Sequence, residues 1–532
     1  MSEIGLIPSL CVLLLELFVY NESNAVVSLS ISVNILAGCL SSQVTLDTSC
    51  HLISTSHSSN MSKWVPIGPD CVFTPRNANF LRLSRRNELA RQGLVKSIAV
   101  DPTDSGTIYT AEAPTSGGNS AFRTTDNGQS WTPIVDGLQQ TDPANVNPSC
   151  IAVNPLATSS IYLETYSGRA YVSPSNGATW NSSFFDFGAG NSVAKLVVDP
   201  RGASDPSITV IYAACNNGVW RSSDGGTTFV QVLVASLSDF AARFPIDGTQ
   251  ADFYAGVNGV GIFHAVDPTS ASSWTNLTTS PASNLPTANF DSMRIDTCRL
   301  IPRPYVWFFN TVSKNEITAS IYTAPSSTGS WTSIPVPATV PQPAYAGLYD
   351  SSFALAPNSP GDGSNDILLF GSIDLSRSID SGRTWTGLSG GAFGDEYHAD
   401  YHAFAFFPDP PQSGVVPLTY VGCDGGLGVS TRLIDPNATL PDTVSEENEQ
   451  LQFSNTAVVQ NYSHGKQSSA IYSYSSDPKI GALGYIGCQD TGINAGDSAL
   501  LWRGIQDADA GQVAVTQGTD GVKVRSFLLS FA

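Results

Sequence analysis

The sequence predicts an all-β fold, a β-propeller of seven or eight four-stranded blades. One turn, Ser/Thr-x-Asp-x-Gly-x-Thr/Ser-aromatic, recurs about every fifty residues, with clear copies at 124–131, 222–229 and 378–385 and a weaker copy at 173–180. The intervening segments are short and rich in β-branched and aromatic residues, without apolar stretches of helical period. Repetition at this period indicates a repeat architecture, and four-stranded sheets repeated radially make a propeller.

Each unit contains three or four short strands. It opens with an apolar run that ends in Asp-Pro or Asn-Pro, as at 100–102 and 153–155. A β-rich run such as 107–109 follows, then a strand such as 219–222, then the repeated turn. In the turn the Asp can accept backbone hydrogen bonds and the Gly can adopt a positive φ. We expect the aromatic residue to pack between neighbouring units.

The aromatic positions of the turn predict the number of units. Trp502 lies 117 residues after Trp385, which leaves room for one degenerate unit around 402–455. About eight units therefore lie between residue 64 and the end, and we expect one propeller over 61–532, truncated inside a further unit at its C-terminus. The first six aromatic positions, 45 to 57 residues apart, are Trp131, Trp180, Phe229, Trp274, Trp331 and Trp385.

The repeated turns resemble the Asp-box (BNR) repeats of sialidases, the sortilin ectodomain, xyloglucan-active propeller hydrolases and photosystem II assembly propellers. The resemblance covers nearly all of the chain after residue 63. The segments at 398–403, 422–426 and 487–492 look most like those of sortilin-like and xyloglucanase-like propellers. The resemblance implies the propeller fold but little about activity, because the box is a structural turn in all of these families.

Composition narrows the classes of partner. The chain carries 45 acidic and 25 basic residues, for a net charge of −20, and is a poor match for nucleic acid, which requires clustered Lys and Arg. Only 13% of residues are charged, whereas Ser, Thr, Asn and aromatic residues are abundant, as in secreted proteins that face carbohydrate. We therefore expect an extracellular monomer whose partner is a polysaccharide or glycan.

Residues 1–60 do not fit the propeller pattern. They contain two apolar runs, at 4–20 and 25–38, but no Lys or Arg, and so resemble neither a signal peptide nor a stable membrane span, although 36–39 matches a lipoprotein cleavage box. We interpret them as a disordered leader or a mis-called extension, with Met61 as the start and a cytoplasmic location in that case. The nine Cys residues lack Cys-x-x-Cys spacing, which argues against a zinc site; pairing and buried thiols both remain open.

The segment 395–402 is the densest set of polar candidates. His398, Asp400 and His402 alternate, which on a strand would place them on one face. Two imidazoles and a carboxylate could hold a divalent metal, but the preferred interpretation is polar lining of the central channel, with general acid/base use as another. We predict no metal or cofactor here. The predicted ligand-binding residues of this segment are Asp395, Tyr397, His398, Tyr401 and His402, and the predicted catalytic ones are Glu396 and Asp400.

A second set consists of Asp residues in short Gly-rich loops, Asp424, Asp490 and Asp520. Glycoside hydrolysis needs two carboxylates on opposite sides of the sugar bond, one protonated and one ionised. We predict Asp424 and Asp490 as catalytic and Asp520 as ligand-binding. Since Asp-Gly is also a common tight-turn dipeptide, a turn role for each stays open.

Two departures weaken the resemblance to known hydrolases. Xyloglucan-active relatives carry a first-blade Asp in an Asp-x-Gly-Gly context, whereas here Glu112 is the one acid in 111–118. Sialidases carry Arg-Ile-Pro before the first box, whereas the related Arg299–Pro302 follows the third box, which disfavours a sialidase. The candidate aromatic platforms for sugar rings are Trp307, Tyr397, Tyr401 and Trp502. For Trp502 the preferred interpretation is that it fills the slot between blades, as expected for Trp131 and Trp385.

The leading hypothesis is a carbohydrate-active propeller of the glycoside hydrolase type with paired carboxylates. The alternative is a non-catalytic propeller that binds a protein or a glycan, as sortilin-like and assembly-factor relatives do. A catalytic site predicts two carboxylates about 5–10 Å apart in an open cleft. A binding module predicts an aromatic or apolar patch without a paired acid.

Overall fold

The structure is a computed structural model. It describes most side chains between residues 94 and 438 and, outside that range, only the backbone of the strands given below. The gaps within the range are 113–119, 136–137, 139–147, 280–282, 288–289, 314–315, 337–350 and 388–399, together with single residues at 129, 189, 203 and 425.

Seven four-stranded antiparallel sheets follow one another along the described chain, each with its strands in sequence order. Their bounds, from first to fourth strand, are for blade 1 Val95–Asp101, Asp104–Glu112, Ser120–Thr124 and Thr132–Pro133; for blade 2 Pro148–Val153, Ile161–Thr165, Arg169–Ser173 and Phe185–Asp186; for blade 3 Val193–Val198, Ile211–Cys215, Gly218–Ser222 and Val230–Val234; and for blade 4 Leu237–Arg243, Asp252–Val257, Gly261–Val266 and Thr275–Asn276.

The remaining blades have the same order. Two short 3₁₀ helices, Pro206–Ile208 and Ala271–Ser273, lie in loops of blades 3 and 4. The strands are for blade 5 Ser292–Thr297, Pro304–Ser313, Glu316–Thr323 and Thr332–Ile334; for blade 6 Ser352–Leu355, Leu368–Gly371, Leu375–Ser378 and Thr386–Gly387; and for blade 7 Tyr401–Phe407, Leu418–Cys423, Gly426–Ser430 and Gln460–Asn461.

The first strands of successive blades contact one another around a ring. The first strand of blade 1 also contacts the first strand of blade 7, which closes the ring. The predicted propeller fold is therefore confirmed, and the ring that the described strands form has seven blades. Each blade sheet twists and packs face to face on the next, so the apolar core is divided among the seams between blades.

Further strands follow the seventh blade. Because the ring closes between blades 7 and 1, Trp502 belongs to a sheet beyond the ring. The predicted boundary at residue 60 lies outside the described residues and stays a prediction. The sheet that contains Trp502 consists of Ile471–Ser476, Gly484–Cys488, Gly492–Gly496 and Trp502–Gln506, and Val72–Phe73 pairs parallel to the last of these strands. A hairpin of Gln512–Gly518 and Gly521–Phe527 follows this sheet in the chain.

The repeated turn has the same hydrogen bonds in its three clearest copies. In the first, Thr124 Oγ1 donates to Asp126 Oδ1 (2.7 Å) and accepts from the Gly128 amide (3.0 Å). The Asp126 carboxylate also accepts from the amide (2.9 Å) and hydroxyl (2.6 Å) of Ser130. Gly128 has a φ of +75°, where glycine is favoured. The equivalent residues of the other copies are Ser222, Asp224, Gly226 and Thr228, and Ser378, Asp380, Gly382 and Thr384.

The aromatic residue after each turn packs on the preceding blade, as predicted. Trp180 of blade 2 packs with Tyr109 and Ile134 of blade 1, and its indole Nε1 donates to the Ile134 carbonyl (2.7 Å). Trp131 of blade 1 packs with Tyr420 of blade 7, and so contributes to the seam that closes the ring. The equivalent residues of the other blades are Phe229, Trp274, Trp331 and Trp385.

Candidate functional site

The predicted site residues that the structure describes lie at one face of the ring. At this face the first strand of each blade begins and the second strand ends. Asp400 directly precedes the first strand of blade 7, Asp424 directly follows its second strand, and Glu112 ends the second strand of blade 1. We call this end of the ring the candidate face. The repeated turns follow the third strands and therefore lie at the opposite face.

A β-bulge brings His402 against Asp424. Tyr401 pairs with Cys423 and Ala403 pairs with Gly422, so His402 is an extra residue in the first strand of blade 7. Bulges redirect a side chain in this way. The His402 Nε2 atom lies 2.5 Å from Asp424 Oδ1, and the two side chains are only 2% and 7% exposed. Both were predicted site residues, and the structure brings them together.

The same contact exists in blade 4 with neutral side chains. There Leu237 pairs with Val257 and Asp239 with Gly256, which leaves Ser238 as the extra residue. Ser238 Oγ donates to Asn258 Oδ1, and Asn258, like Asp424, directly follows the second strand of its blade. The bulge-to-loop contact is therefore a feature of the blade, and blade 7 carries ionisable groups at these two positions.

Backbone hydrogen bonds fix the position of Asp400. Its carbonyl accepts from the Asp424 amide (3.2 Å), its amide donates to the Ile373 carbonyl (3.2 Å), and its φ is +63°. The strand begins only at Tyr401 and contains the bulge at His402, so the simple alternation predicted for Asp400 and His402 is absent. Among the described residues, no group of three His, Cys, Asp or Glu side chains is arranged to hold a metal ion.

Two aromatic residues predicted as sugar platforms lie in the core. Tyr401 packs among Ala354 and Leu369 of blade 6, and Trp307 stacks on Phe370 with ring centroids 4.5 Å apart. Both rings are almost fully buried, because their strands are sandwiched between neighbouring blades. This corrects the expectation that Tyr401 and Trp307 are exposed.

The sequence reasoning missed a buried acid at the candidate face. Glu164, near the end of the second strand of blade 2, is 1% exposed, and its Oε2 has no hydrogen-bond partner among the described residues. Burial raises the pKa of this carboxyl well above its usual range. Its cross-strand partner is Cys150, whose thiol pKa burial raises to about 11. The repeat did not single it out, because Glu164 lies three residues after Ile161 and so aligns with Ala111, one residue before the position of Glu112.

A small pocket opens on the same face between blades 3 and 4. Its lining residues include Ser192 and Asn216. Lys195 Nζ lies 3.7 Å from Asp239 Oδ1 beside it. Hydroxyl, amide and charged groups of this kind can bind polar ligands through hydrogen bonds.

The chain is similar to xyloglucanases. It is 27% identical over 152 residues to one from Acetivibrio thermocellus, 26% over 255 residues to one from Hypocrea jecorina and 25% over 339 residues to one from Paenibacillus sp.. These matches cover 26%, 45% and 55% of this chain, but only 18%, 25% and 31% of the relatives. The chain thus spans less than a third of the length of these curated relatives.

The solved structure of an ancestral GH74 enzyme shares the fold. The TM-score is 0.56 at 14% sequence identity, over 83% of this chain and 59% of that chain. No protein-family model matches the chain. The chain thus resembles xyloglucanases in sequence and shares its fold with a GH74 enzyme. No helix among the described residues is long and apolar enough to cross a membrane.

Six predicted site residues lie outside the described residues, and their roles stay predictions. In the sequence, Asp490 comes between the paired strands Gly484–Cys488 and Gly492–Gly496, as Asp424 does between the second and third strands of blade 7. The six are Asp395, Glu396, Tyr397, His398, Asp490 and Asp520.

Proposed function

We propose that the protein is a secreted glycoside hydrolase that binds a polysaccharide of the xyloglucan or β-glucan class at the candidate face. The similarity to xyloglucanases, which extends over 55% of the chain in one case, carries this proposal. The carboxyl groups at the candidate face support it, because glycosidases act through carboxylates. A monomer suffices for this chemistry.

In the proposed reaction, one carboxyl group protonates the glycosidic oxygen and another, ionised, activates water or attacks the sugar carbon. We assign the ionised role to Asp424, because a hydrogen bond from the His402 ring favours the charged form of the carboxylate. The protonated partner is one of the other predicted acids, Asp400, Glu396 or Asp490. No role in the chemistry is assigned to Glu164, which is too deeply buried to reach a polysaccharide.

The alternative is a propeller that binds a glycan or a protein without cleaving it. One observation favours it: the His402–Asp424 contact occupies the same positions as the neutral Ser238–Asn258 contact of blade 4. On that interpretation Asp424 stabilises a loop, and the candidate face binds a glycan or a protein without cleaving it.

Reducing-sugar release by the purified full chain tests the proposal. The substrates are xyloglucan, mixed-linkage β-glucan and sialoglycans, and we expect release from the first or second. Asp424→Asn should lower the rate at least about 100-fold, the scale expected when one member of a catalytic pair is lost. The matched control is Asp247→Asn, an exposed acid in a loop of the opposite face, which should keep full activity.

Two results would decide against catalysis. No release from any substrate by a protein that unfolds cooperatively would reject the hydrolase. Retardation of the same protein in a xyloglucan-containing gel would then favour the binding propeller. Equal activity of Asp424→Asn and Asp247→Asn would leave a hydrolase but remove Asp424 from its catalytic pair.

A further inference from the structure

We infer that His402 is a positioning residue for Asp424 and not a contact for the polysaccharide. This inference rests on the proposed function, since it concerns the orientation of the proposed ionised carboxylate. It also departs from the sequence-based prediction, in which His402 binds the ligand directly.

Burial and backbone geometry place His402 behind Asp424. The histidine side chain is 2% exposed, so its ring cannot lie against a polymer bound at the surface. The bulge sets the direction of the ring, because an extra residue in one strand re-aims its side chain. The ring nitrogen Nε2 lies within hydrogen-bond reach of Oδ1 of Asp424, at 2.5 Å.

Blade 4 shows that the same contact can form without ionisable side chains. At the same two positions Ser238 bonds to Asn258, whose side-chain amide also donates to Ser236 Oγ (3.1 Å) and to the Leu237 carbonyl (3.2 Å). A blade of this protein therefore forms the contact with neutral side chains. An ionisable pair is not needed to hold the loop, and burying one costs free energy unless it is well paired. Its presence in blade 7 points to a use for the charge of Asp424.

The closing seam of the ring covers most of the pair and leaves 7% of the Asp424 side chain exposed. A β-carbon built on Gly422 would lie 2.6 Å from the Val95 carbonyl oxygen, so blade 1 packs directly on the strand that leads to Asp424. Other ionisable groups on the adjoining elements are Lys96, Glu112, Asp374 and Asp400. A carboxylate shielded in this way needs a fixed donor to stay ionised and correctly oriented.

Removal of His402 should therefore change the chemical step and leave substrate binding intact. Misplacing a reacting group by about 1 Å can cost about 100-fold in rate. We expect His402→Ala to lower kcat by about 10- to 100-fold with KM within about 2-fold, because the ring does not touch the polymer. His402→Gln retains an N–H donor and should recover most of the lost kcat.

The experiment measures kcat, KM and Tm for the full chain and for His402→Ala, His402→Gln and Asn258→Ala. Asn258→Ala breaks the equivalent contact in blade 4 and serves as the matched control. It should lower Tm about as much as His402→Ala but leave kcat within about 2-fold. A second comparison uses Asp424→Asn alone and combined with His402→Ala, whose losses in kcat should not add.

Three results would overturn the inference, each in a different way. If His402→Ala lowers Tm but keeps kcat, the contact is structural, as in blade 4. If His402→Ala raises KM and keeps kcat, the histidine contacts the ligand, as the sequence predicted. If the folded wild-type protein hydrolyses no substrate, the proposed function fails and the inference fails with it.

Discussion

A single buried acid shows how position in the blade controls the charge of a side chain. Glu164 has no partner among the described residues for one of its oxygens, and burial raises the pKa of its carboxyl well above the usual range. The neutral acid is the form that the fold tolerates, since an unpaired charge in this seam would be strongly destabilising. Glu164 therefore contributes to the pH dependence of stability.

The sign of that contribution follows from linkage. Unfolded, Glu164 ionises near its ordinary pKa of about 4.5. Above that pH the folded chain keeps the proton on the Glu164 carboxyl, whereas the unfolded chain has lost it. This residue therefore lowers stability progressively as pH rises towards its folded pKa. Glu164→Gln should remove this loss, and the Tm difference between variant and wild type should grow in favour of the variant from pH 4 to pH 8.

Thermal unfolding of the two proteins across that range measures the difference. Burying an amide in place of the carboxyl should shift Tm by a constant amount at every pH. Only the change of the Tm difference with pH is therefore diagnostic. Asp247→Asn, which changes an exposed acid, controls for net charge. A Tm difference that does not vary with pH would show that Glu164 is ionised in the folded state.

At the scale of the element, the repeated turn is a hydrogen-bonded unit, and its Asp carboxylate contributes most to its stability. Burial raises the pKa of Asp380, but bonds from Thr384 and Ser378 outweigh it and the net pKa is lowered. The stability that Asp380 contributes is therefore present above its unfolded pKa of about 3.8 and is lost as pH falls through the lower folded pKa.

Asp380→Asn should lower the free energy of unfolding by about 1–2 kcal/mol at pH 7, because the amide cannot accept both bonds from Thr384. The loss should shrink below about pH 3.8, as the pH falls through the lowered folded pKa of the wild-type carboxylate. Urea unfolding at pH 7 and pH 3 tests this. The natural comparison is blade 2, whose turn has Ser175 in place of the acid and keeps the bond from the Thr179 amide (2.9 Å). Equal losses at both pH values would argue against the pKa assignment.

Strand patterns in the sequence predict elements better than the orientation of single residues. The period-2 rule places His398, Asp400 and His402 on one face, but in the described part a bulge shifts the register at His402. Register shifts near the start of the first strand also occur in blades 1 to 4. A bulge depends on the register with the next strand of the blade, which the alternation within a single strand cannot reveal.

At the scale of the whole molecule, the repeat predicts the blade but not where the ring closes. The spacing of the turn aromatic residues correctly predicts packing between blades, as at Trp180. About eight units were expected in one propeller, whereas the described ring closes with seven. Closure requires blade 7 to pack on blade 1, and residues some 300 apart in sequence meet there, as Tyr420 Oη and the Ser105 carbonyl do (2.8 Å). Repeat spacing carries no information on that contact.

The closing seam is held by side-chain packing. Blades 1 and 7 each consist of four strands in sequence order, so the described ring is closed by contacts between faces of separate sheets. Trp131 packs there with Tyr420, Leu427 and Val429. Trp180 is the equivalent residue in the seam between blades 1 and 2. These two blades are also joined by the continuous chain.

Trp131→Ala should therefore cost about 3–5 kcal/mol of the free energy of unfolding, the usual range for removing a buried Trp, and should open the ring locally. Trp180→Ala should cost a similar amount without separating blades 1 and 2. Native-state hydrogen exchange distinguishes the two, since Trp131→Ala should speed exchange in the first strands of blades 1 and 7 well before global unfolding. Uniformly faster exchange in all seven blades would mean that the ring unfolds as one cooperative unit, and that the closing seam is no weaker than the others.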